Sequence, residues 1–250
     1  MSGATPIKVL ANASTLIETL GAEGPQTPAE IAARIGIPRS SVYRLVEGLE
    51  AIAMVETLED TRVRLSARWL HLADSARTSM GEWSETGQVL EGLVATTGLT
   101  AYLSVRRGGR AVCVDWRQGR GIALMSLKPG LSLPLNAGAA GRVLLAFGDH
   151  EGVLDDPAMR PALTDLTIVD REELAADIEL TRSRGFVLSE EDVTKGIGAL
   201  GMPVHDRRGQ LRGAISLAGI VAEIRAEQNE LLDELRAAIA AVSASLAVAE

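Results

Sequence analysis

Three features of the sequence predict an α+β chain that begins with a winged helix-turn-helix and continues into a larger domain on an antiparallel sheet. Two helices with apolar stripes meet at a glycine-proline turn, a short alternating hairpin follows them, and from residue 82 helices mix with hairpin-linked strands. The first feature rests on Thr27-Pro28-Ala29-Glu30. Thr27 can accept the N–H of Glu30 while the Glu30 side chain reaches back, and Pro28 stands at the first helical position, where its missing N–H costs nothing. This helix runs to about Ile35 and buries Ile31 and Ala32. Gly36 then permits a left-handed end and Pro38 prevents continuation.

The second helix of the pair starts near Pro38–Ser40 and presents Val42, Leu45, Val46, Leu49, Ile52 and Ala53 on one face. Arg39, Ser40, Tyr43, Arg44 and Glu47 are left on the other. An earlier helix over 6–20 carries Val9, Leu10, Ala13, Leu16, Ile17 and Leu20, with a turn from Gly21 to Gln26. Met54–Thr57 and Arg62–Ser66 alternate in and out and form the wing. The domain divisions are 1–66 for the winged unit, 67–81 for a linker helix (Trp69, Leu70, Ala73, Ala76) capped by Ser66, and 82–250 for the rest, with Gly81 as the boundary.

In the larger domain a helix over 84–97 turns Val89, Leu90, Leu93 and Val94 inward. Strands are expected at 100–106, 110–117 and 121–127, the first two joined at Arg107-Gly108-Gly109. A helix over 138–147 opens on Gly138-Ala-Ala-Gly141, and Asp170-Arg-Glu-Glu173 reads as a capping box for a helix that stops at Gly185. Further strands are expected at 186–189, 199–205 and 211–219, then one long helix over 222–248.

Composition excludes several classes. Apolar residues make up 46% of 250, too many for a disordered chain. Cys113 is the only cysteine, so no internal disulfide and no CxxC site exists, which suits a reducing compartment. No apolar run approaches the ~20 residues needed to span a membrane. Met1-Ser-Gly-Ala-Thr-Pro lacks the basic start and apolar run of a signal peptide, and the expectation is a cytoplasmic protein without a membrane partner. The net charge of −8 argues against sequence-blind nucleic-acid binding. Residues 1–66 hold six cations and eight acids, so DNA contact must come from where the arginines sit.

Catalytic sets are missing. Gly196-Ile-Gly-Ala-Leu-Gly201 fits G-x-G-x-x-G, but Met202-Pro203-Val204 continues it as a strand, whereas a dinucleotide site needs a helix there. His71, His150 and His205 have no metal-ligand spacing, so no metal and no cofactor is expected. Cys113 alternates with Val112 and Val114 as a packing residue, and Glu190-Glu191-Asp192 reads as solvated acids in a loop. The chain is therefore expected not to be an enzyme. On the helix-turn-helix, Arg39 and Arg44 suit phosphate or guanine contacts, Ser40 and Ser41 allow close approach, and Tyr43 offers a polar tip. Thr27 stands at the start of the first motif helix, and Arg62 and Arg64 project from the wing. These eight residues form the DNA-contact set; the alternative is a protein-interaction module that does not bind DNA.

Ile31-Ala-Ala-Arg-Ile-Gly-Ile-Pro-Arg-Ser-Ser-Val-Tyr-Arg-Leu-Val46 and the wing ending Val63-Arg-Leu-Ser66 resemble the IclR family of bacterial transcription regulators. So do Gly130–Ala146, Arg184–Asp192, Gly196–Asp206 and Ala214–Gly219, in the family's order. The resemblance implies a GAF-like effector domain, an operator in double-stranded DNA, dimers through the N-terminal domains and often tetramers. It also implies a small organic acid or aromatic compound as effector. Family members with small carboxylate ligands use backbone N–H groups at the helix start matching Gly138, Ala139, Ala140 and Gly141. They also use polar residues at the positions of Ser189, Ala199, Ser216 and Ala218, of which Ser216 keeps its type; the departure points to a more apolar or larger effector. Leu124, Met125, Leu133 and Leu135 are expected to supply apolar walls.

Overall fold

A computed structural model describes residues 7–79, 81–120 and 127–246. The chain divides into two compact units after Ser79. In the first, α1 (Lys8–Glu23), α2 (Pro28–Ile35) and α3 (Arg39–Ala51) pack around Leu16, Leu20, Ile31, Val42, Val46 and Leu49, all buried. The cap of α2 forms as its sequence requires: the Thr27 hydroxyl accepts the Glu30 N–H, and Glu30 accepts the Thr27 N–H at 2.8 Å. Gly36 ends the helix at φ 70°. The turn before α2 is shorter than the sequence suggests, because α1 runs on through Gly21 to Glu23 and stops at Gly24, φ 80°.

Strands β1 (Val55–Thr57) and β2 (Val63–Leu65) pair antiparallel with Glu56 opposite Arg64. Two residues assigned to the buried face of α3 lie outside it. Ile52 is 53% exposed, and Ala53 turns the chain at φ 56°, because the helix has ended at Ala51 and the backbone must redirect into β1. Helix α4 (Arg68–Ser79) starts beside Ser66, whose hydroxyl accepts the Arg68 N–H at 3.3 Å. Of its expected stripe only Trp69 packs inward, with its indole N–H on the Met54 carbonyl at 2.7 Å. Leu70 is 76% exposed and Ala73 and Ala76 are exposed too.

The second unit is a six-stranded antiparallel sheet between two helical layers. Its strands are β3 (Thr100–Arg107), β4 (Arg110–Arg117), β5 (Ser132–Pro134), β6 (Val187–Glu190), β7 (Ile197–His205) and β8 (Leu211–Ile220), in the order β5-β4-β3-β8-β7-β6. Strand β5 carries no sequence signal beyond Leu133; three residues are too few for a visible alternation. The expected strand over 121–127 falls almost wholly outside the described residues, and Leu124 and Met125 with it.

One face of the sheet packs on α5 (Thr86–Thr97) and α10 (Gln228–Ser245) through Leu90, Leu93, Leu103, Leu200, Leu217 and Leu235. The other packs on α6 (Ala139–Ala146), flanked by α7 (Glu151–Asp155) and α8 (Arg171–Arg184), around Leu135, Val143, Leu144, Leu174 and Ile178. The Asp170 side chain accepts the Glu172 and Glu173 N–H groups, both at 2.9 Å, and starts α8. The long C-terminal helix is broken. α9 (Val221–Ala226) and α10 meet at Glu227, whose φ −107° and ψ 14° interrupt the ladder while Ile224 and Leu231 both stay buried.

Candidate DNA interface and effector site

Residues 40, 43, 44 and 47 follow the i, i+3, i+4, i+7 spacing of one helix face. Ser40, Tyr43, Arg44 and Glu47 are accordingly exposed on α3, with Arg39 beside them and Ser41 half-buried. The other arginines of α1–β2 are taken by acids: Arg34 by Glu23, Arg62 by Asp60 and Arg64 by Glu56 across the hairpin. Among the described residues Arg39 and Arg44 have no ion pair, so the unmatched positive charge of this motif collects on the face of α3. Local pairing thus removes much of what made the unit's overall balance unfavourable. Thr27 is placed differently from the rest of its set. Its hydroxyl donates to Glu30 at 2.8 Å while accepting the Glu30 N–H, so that side chain is occupied by the cap.

In the larger unit the strand register gathers distant residues. Trp116, Tyr102, Ser216, Gly201 and Val187 lie opposite one another in a row across β4, β3, β8, β7 and β6. The neighbouring row on the same face is Thr100, Ala218, Ala199 and Ser189. This face is the one α6 covers, since a Cβ added at Gly201 would come within 3.0 Å of the Ala139 Cβ. Ala139 therefore packs on the sheet, and Ala140 and Leu135 join the core around α6. Leu133 lies against Gly138: a Cβ added there, at φ 71°, would stand 3.2 Å from the Leu133 side chain. Beyond the cover of α6, Ala199 and Ala218 share a patch with Tyr102, Cys113, Trp116 and Leu127.

Small side chains leave room here. A cleft of about 400 Å³ opens beside Ala218, with Ile197, Thr100, Arg120, Glu223 and Glu227 among its walls. Tyr102 and Trp116 stack with ring centroids 6.1 Å apart. The Tyr102 and Ser104 hydroxyls are buried without a hydrogen-bond partner among the described residues. Burial holds the Tyr102 phenol above its ordinary range, and burial followed by the Asp115 charge pushes the Cys113 thiol up to about 12. Cys113 is thus a neutral thiol in a strand.

One corner of this face is ionic and corrects the reading of Glu190-Glu191-Asp192 as solvated. Glu191 adopts φ 58°, which turns the chain inward after β6 and buries Asp192. One Asp192 oxygen accepts the Gly138 N–H at 3.1 Å and lies 3.4 Å from Arg142 Nη1; the other accepts the Ser189 hydroxyl. Arg142 also donates to Asp177 and to the Leu188 carbonyl. Burial would lower the Arg142 pKa, but its bonds to Asp177 and then the charges of Asp177 and Asp192 hold it above the ordinary arginine value. Gly138 and Ser189, both expected at the site, are brought together by Asp192, which sequence reasoning had set aside. Arg142, Asp177 and Asp192 are up to 50 residues apart in sequence, and only an inward-facing acid after a short strand could have hinted at the cluster. Among the described residues no group of histidines, cysteines and carboxylates could hold a metal ion. No described helix is long and apolar enough to cross a membrane.

The sequence matches two family models. Residues 9–59 match the IclR helix-turn-helix domain, and residues 78–244 match the C-terminal domain of bacterial transcriptional regulator IclR. Among curated relatives, the glycerol operon regulatory protein of Streptomyces griseus is 28% identical over 96% of both chains. The HTH-type transcriptional repressor AllR of Salmonella typhimurium is 24% identical over 78% of this chain and 73% of its own. Solved structures with this fold include an IclR regulator from Alicyclobacillus acidocaldarius, with TM-score 0.79, 24% identity and 97% and 100% of the two chains covered. Another is an IclR homologue from Microbacterium hydrocarbonoxydans complexed with 4-hydroxybenzoate, with TM-score 0.79, 21% identity and 95% and 98% covered. A helix-turn-helix with its free arginines on one helix, joined to a sheet domain that matches the family over most of its length, places this chain in the IclR family of bacterial transcriptional regulators, with a DNA-binding domain ahead of an effector-binding domain.

Proposed function

We propose that α3 reads a specific operator through Arg39, Ser40, Tyr43 and Arg44, and that a small organic molecule bound on the α6 side of the sheet changes that binding. The observation that carries the first half is the contrast among the arginines. Arg39 and Arg44 are unpaired on the exposed face of α3, while Arg34, Arg62 and Arg64 are each matched by a carboxylate. A helix with exposed arginines and short polar side chains fits the major groove. The wing arginines, already paired, contribute less, because each must exchange one partner for a phosphate. The second half is supported by the small-residue floor at Ala199, Gly201 and Ala218 and by the unsatisfied Tyr102 hydroxyl beside it. The protein works as a regulator rather than an enzyme, in the cytoplasm where its DNA is, and as a dimer or a larger homo-oligomer.

Gel-shift titration against the DNA upstream of its own gene tests this reading. A base-reading arginine replaced by alanine loses about 1–3 kcal/mol and relaxes one position of the site. A phosphate-contacting arginine weakens binding to every sequence and lowers the salt slope by about one. Arg39→Ala and Arg44→Ala should each show one of these patterns, and Arg64→Ala should cost less than either. Unchanged affinity in both α3 variants would remove α3 as the reading helix.

A further inference from the structure

The N-terminus of α6 is where an anionic ligand would be expected to sit, because the first N–H groups of a helix lack partners and its dipole favours negative charge. In this protein the position is already filled. Asp192 is buried beneath the start of α6 and accepts the Gly138 N–H, and Ser189, the nearest hydroxyl, donates to the same carboxylate. Arg142 cannot turn to an incoming acid, since its N–H groups are spent on Asp177, Leu188 and Asp192. The buried cluster therefore has two carboxylates for one guanidinium, and the nearby cleft repeats that balance with Glu223 and Glu227 against Arg120. An organic anion entering here would meet like charge at short range and find no free cation within the cluster.

What is unsatisfied is neutral. The Tyr102 hydroxyl is buried without a partner, its ring stacks with Trp116, and Ser216 lies directly across from it. Alongside, Ala199 and Ala218 give a flat floor of small side chains. A hydroxyl donor or acceptor and an aromatic surface above a small-residue floor match a ring with its own hydroxyl group.

We propose that this site takes an uncharged phenol or ring alcohol and discriminates against the corresponding carboxylate, with Asp192 as the residue that sets the preference. The proposal rests on the α6 side of the sheet being the effector site, as argued above. Asp192 occupies the place of the ligand's carboxylate, and Tyr102 bonds the ligand's hydroxyl.

Calorimetric titration of the full chain at neutral pH with 4-methylphenol, 4-hydroxybenzyl alcohol and 4-hydroxybenzoate tests it. The two neutral compounds should bind at least about tenfold more tightly than the acid, a gap of about 1.4 kcal/mol. Tyr102→Phe should weaken the neutral compounds by up to about tenfold, the worth of one hydrogen bond. Asp192→Asn should close most of the gap by improving the acid. If that variant does not fold, the wild-type preference and Tyr102→Phe decide. Ala199→Phe, at a half-buried position, fills the floor and should abolish binding of all three. Tighter binding of 4-hydroxybenzoate by the wild type, lost in Ala199→Phe, would overturn the ligand class and leave the site standing. Binding that ignores both Ala199→Phe and Tyr102→Phe would overturn the site together with the proposal. Failure of both neutral compounds to bind the wild type would also overturn the ligand class.

Discussion

At the scale of single residues, the α6-facing patch is controlled by groups that are kept neutral or matched. Cys113 and Tyr102 are both buried acids whose ionised forms are disfavoured, and their neutrality has a consequence at alkaline pH. The Cys113 thiol titrates from an ordinary value of 9.0 in the unfolded chain and from about 12 in the folded one. Between those values the folded state holds a proton that the unfolded state has lost, so stability falls as pH rises. The contribution is fully present below pH 9 and is lost on the way to 12. Tyr102 acts in the same direction from its higher starting value of 10.0. Urea midpoints measured at intervals above pH 8 should therefore decline for the wild type. Cys113→Ala should show a shallower decline over the first part of that range; an identical slope in the variant would mean that the thiol is not held protonated. The same burial keeps the thiol a poor nucleophile, so native Cys113 should react slowly with thiol reagents until the protein is unfolded.

At the scale of elements, local chemistry decided what could be read from sequence. The cap of α2 was legible because every group in it lies within four residues, Thr27 to Glu30, and because Gly36 and Pro38 close the other end. Removing it has a defined cost. Thr27→Ala deletes the acceptor for the Glu30 N–H and should lower the stability of the first unit by about 0.5–2 kcal/mol. Trp69, whose indole bonds Met54 in that unit, reports the transition by fluorescence. An unchanged midpoint would show that the cap contributes nothing. The strands around Gly108-Gly109 and Asp206–Gln210 were legible for the same local reason, and so was the failure of Gly196–Gly201 as a nucleotide loop, since β7 begins at Ile197. Contacts between elements left no such trace. The Arg142 cluster joins α6, α8 and the turn after β6, and the bend at Glu191 that buries Asp192 involves no glycine or proline. The break at Glu227 likewise sits in Ala226-Glu227-Gln228, three ordinary helix formers. At the candidate site, Ser189, Ala199, Ser216 and Ala218 were found through a resemblance and then seen side by side in the register, whereas Tyr102 and Asp192 needed the fold.

At the scale of the whole molecule, charge and apolar exposure both argue for association. The chain carries −8 overall, and its helix-turn-helix motif offers few unmatched cations, so one copy makes few phosphate contacts. Counterion release from so few contacts yields weak binding at physiological salt. A second copy on the same DNA raises affinity through effective concentration without any new kind of contact. The first unit also exposes apolar side chains that no described residue covers, including Leu10 at 61% on α1 and Leu70 at 76% on α4. Large exposed leucines on two helices of one small unit mark an association surface, and a second copy of this chain is the partner that DNA binding calls for. Light scattering should give at least twice the 26.4 kDa of one chain. Footprinting should show a two-fold operator with half-sites about one helical turn apart, or a multiple of it. Leu10→Ser with Leu70→Ser should shift the protein toward monomers and weaken operator binding steeply, while a single half-site is bound as weakly as before. A monomeric wild type that still protects its operator at nanomolar concentration would falsify this account, because the few unpaired cations of one motif could not then be the limit on affinity.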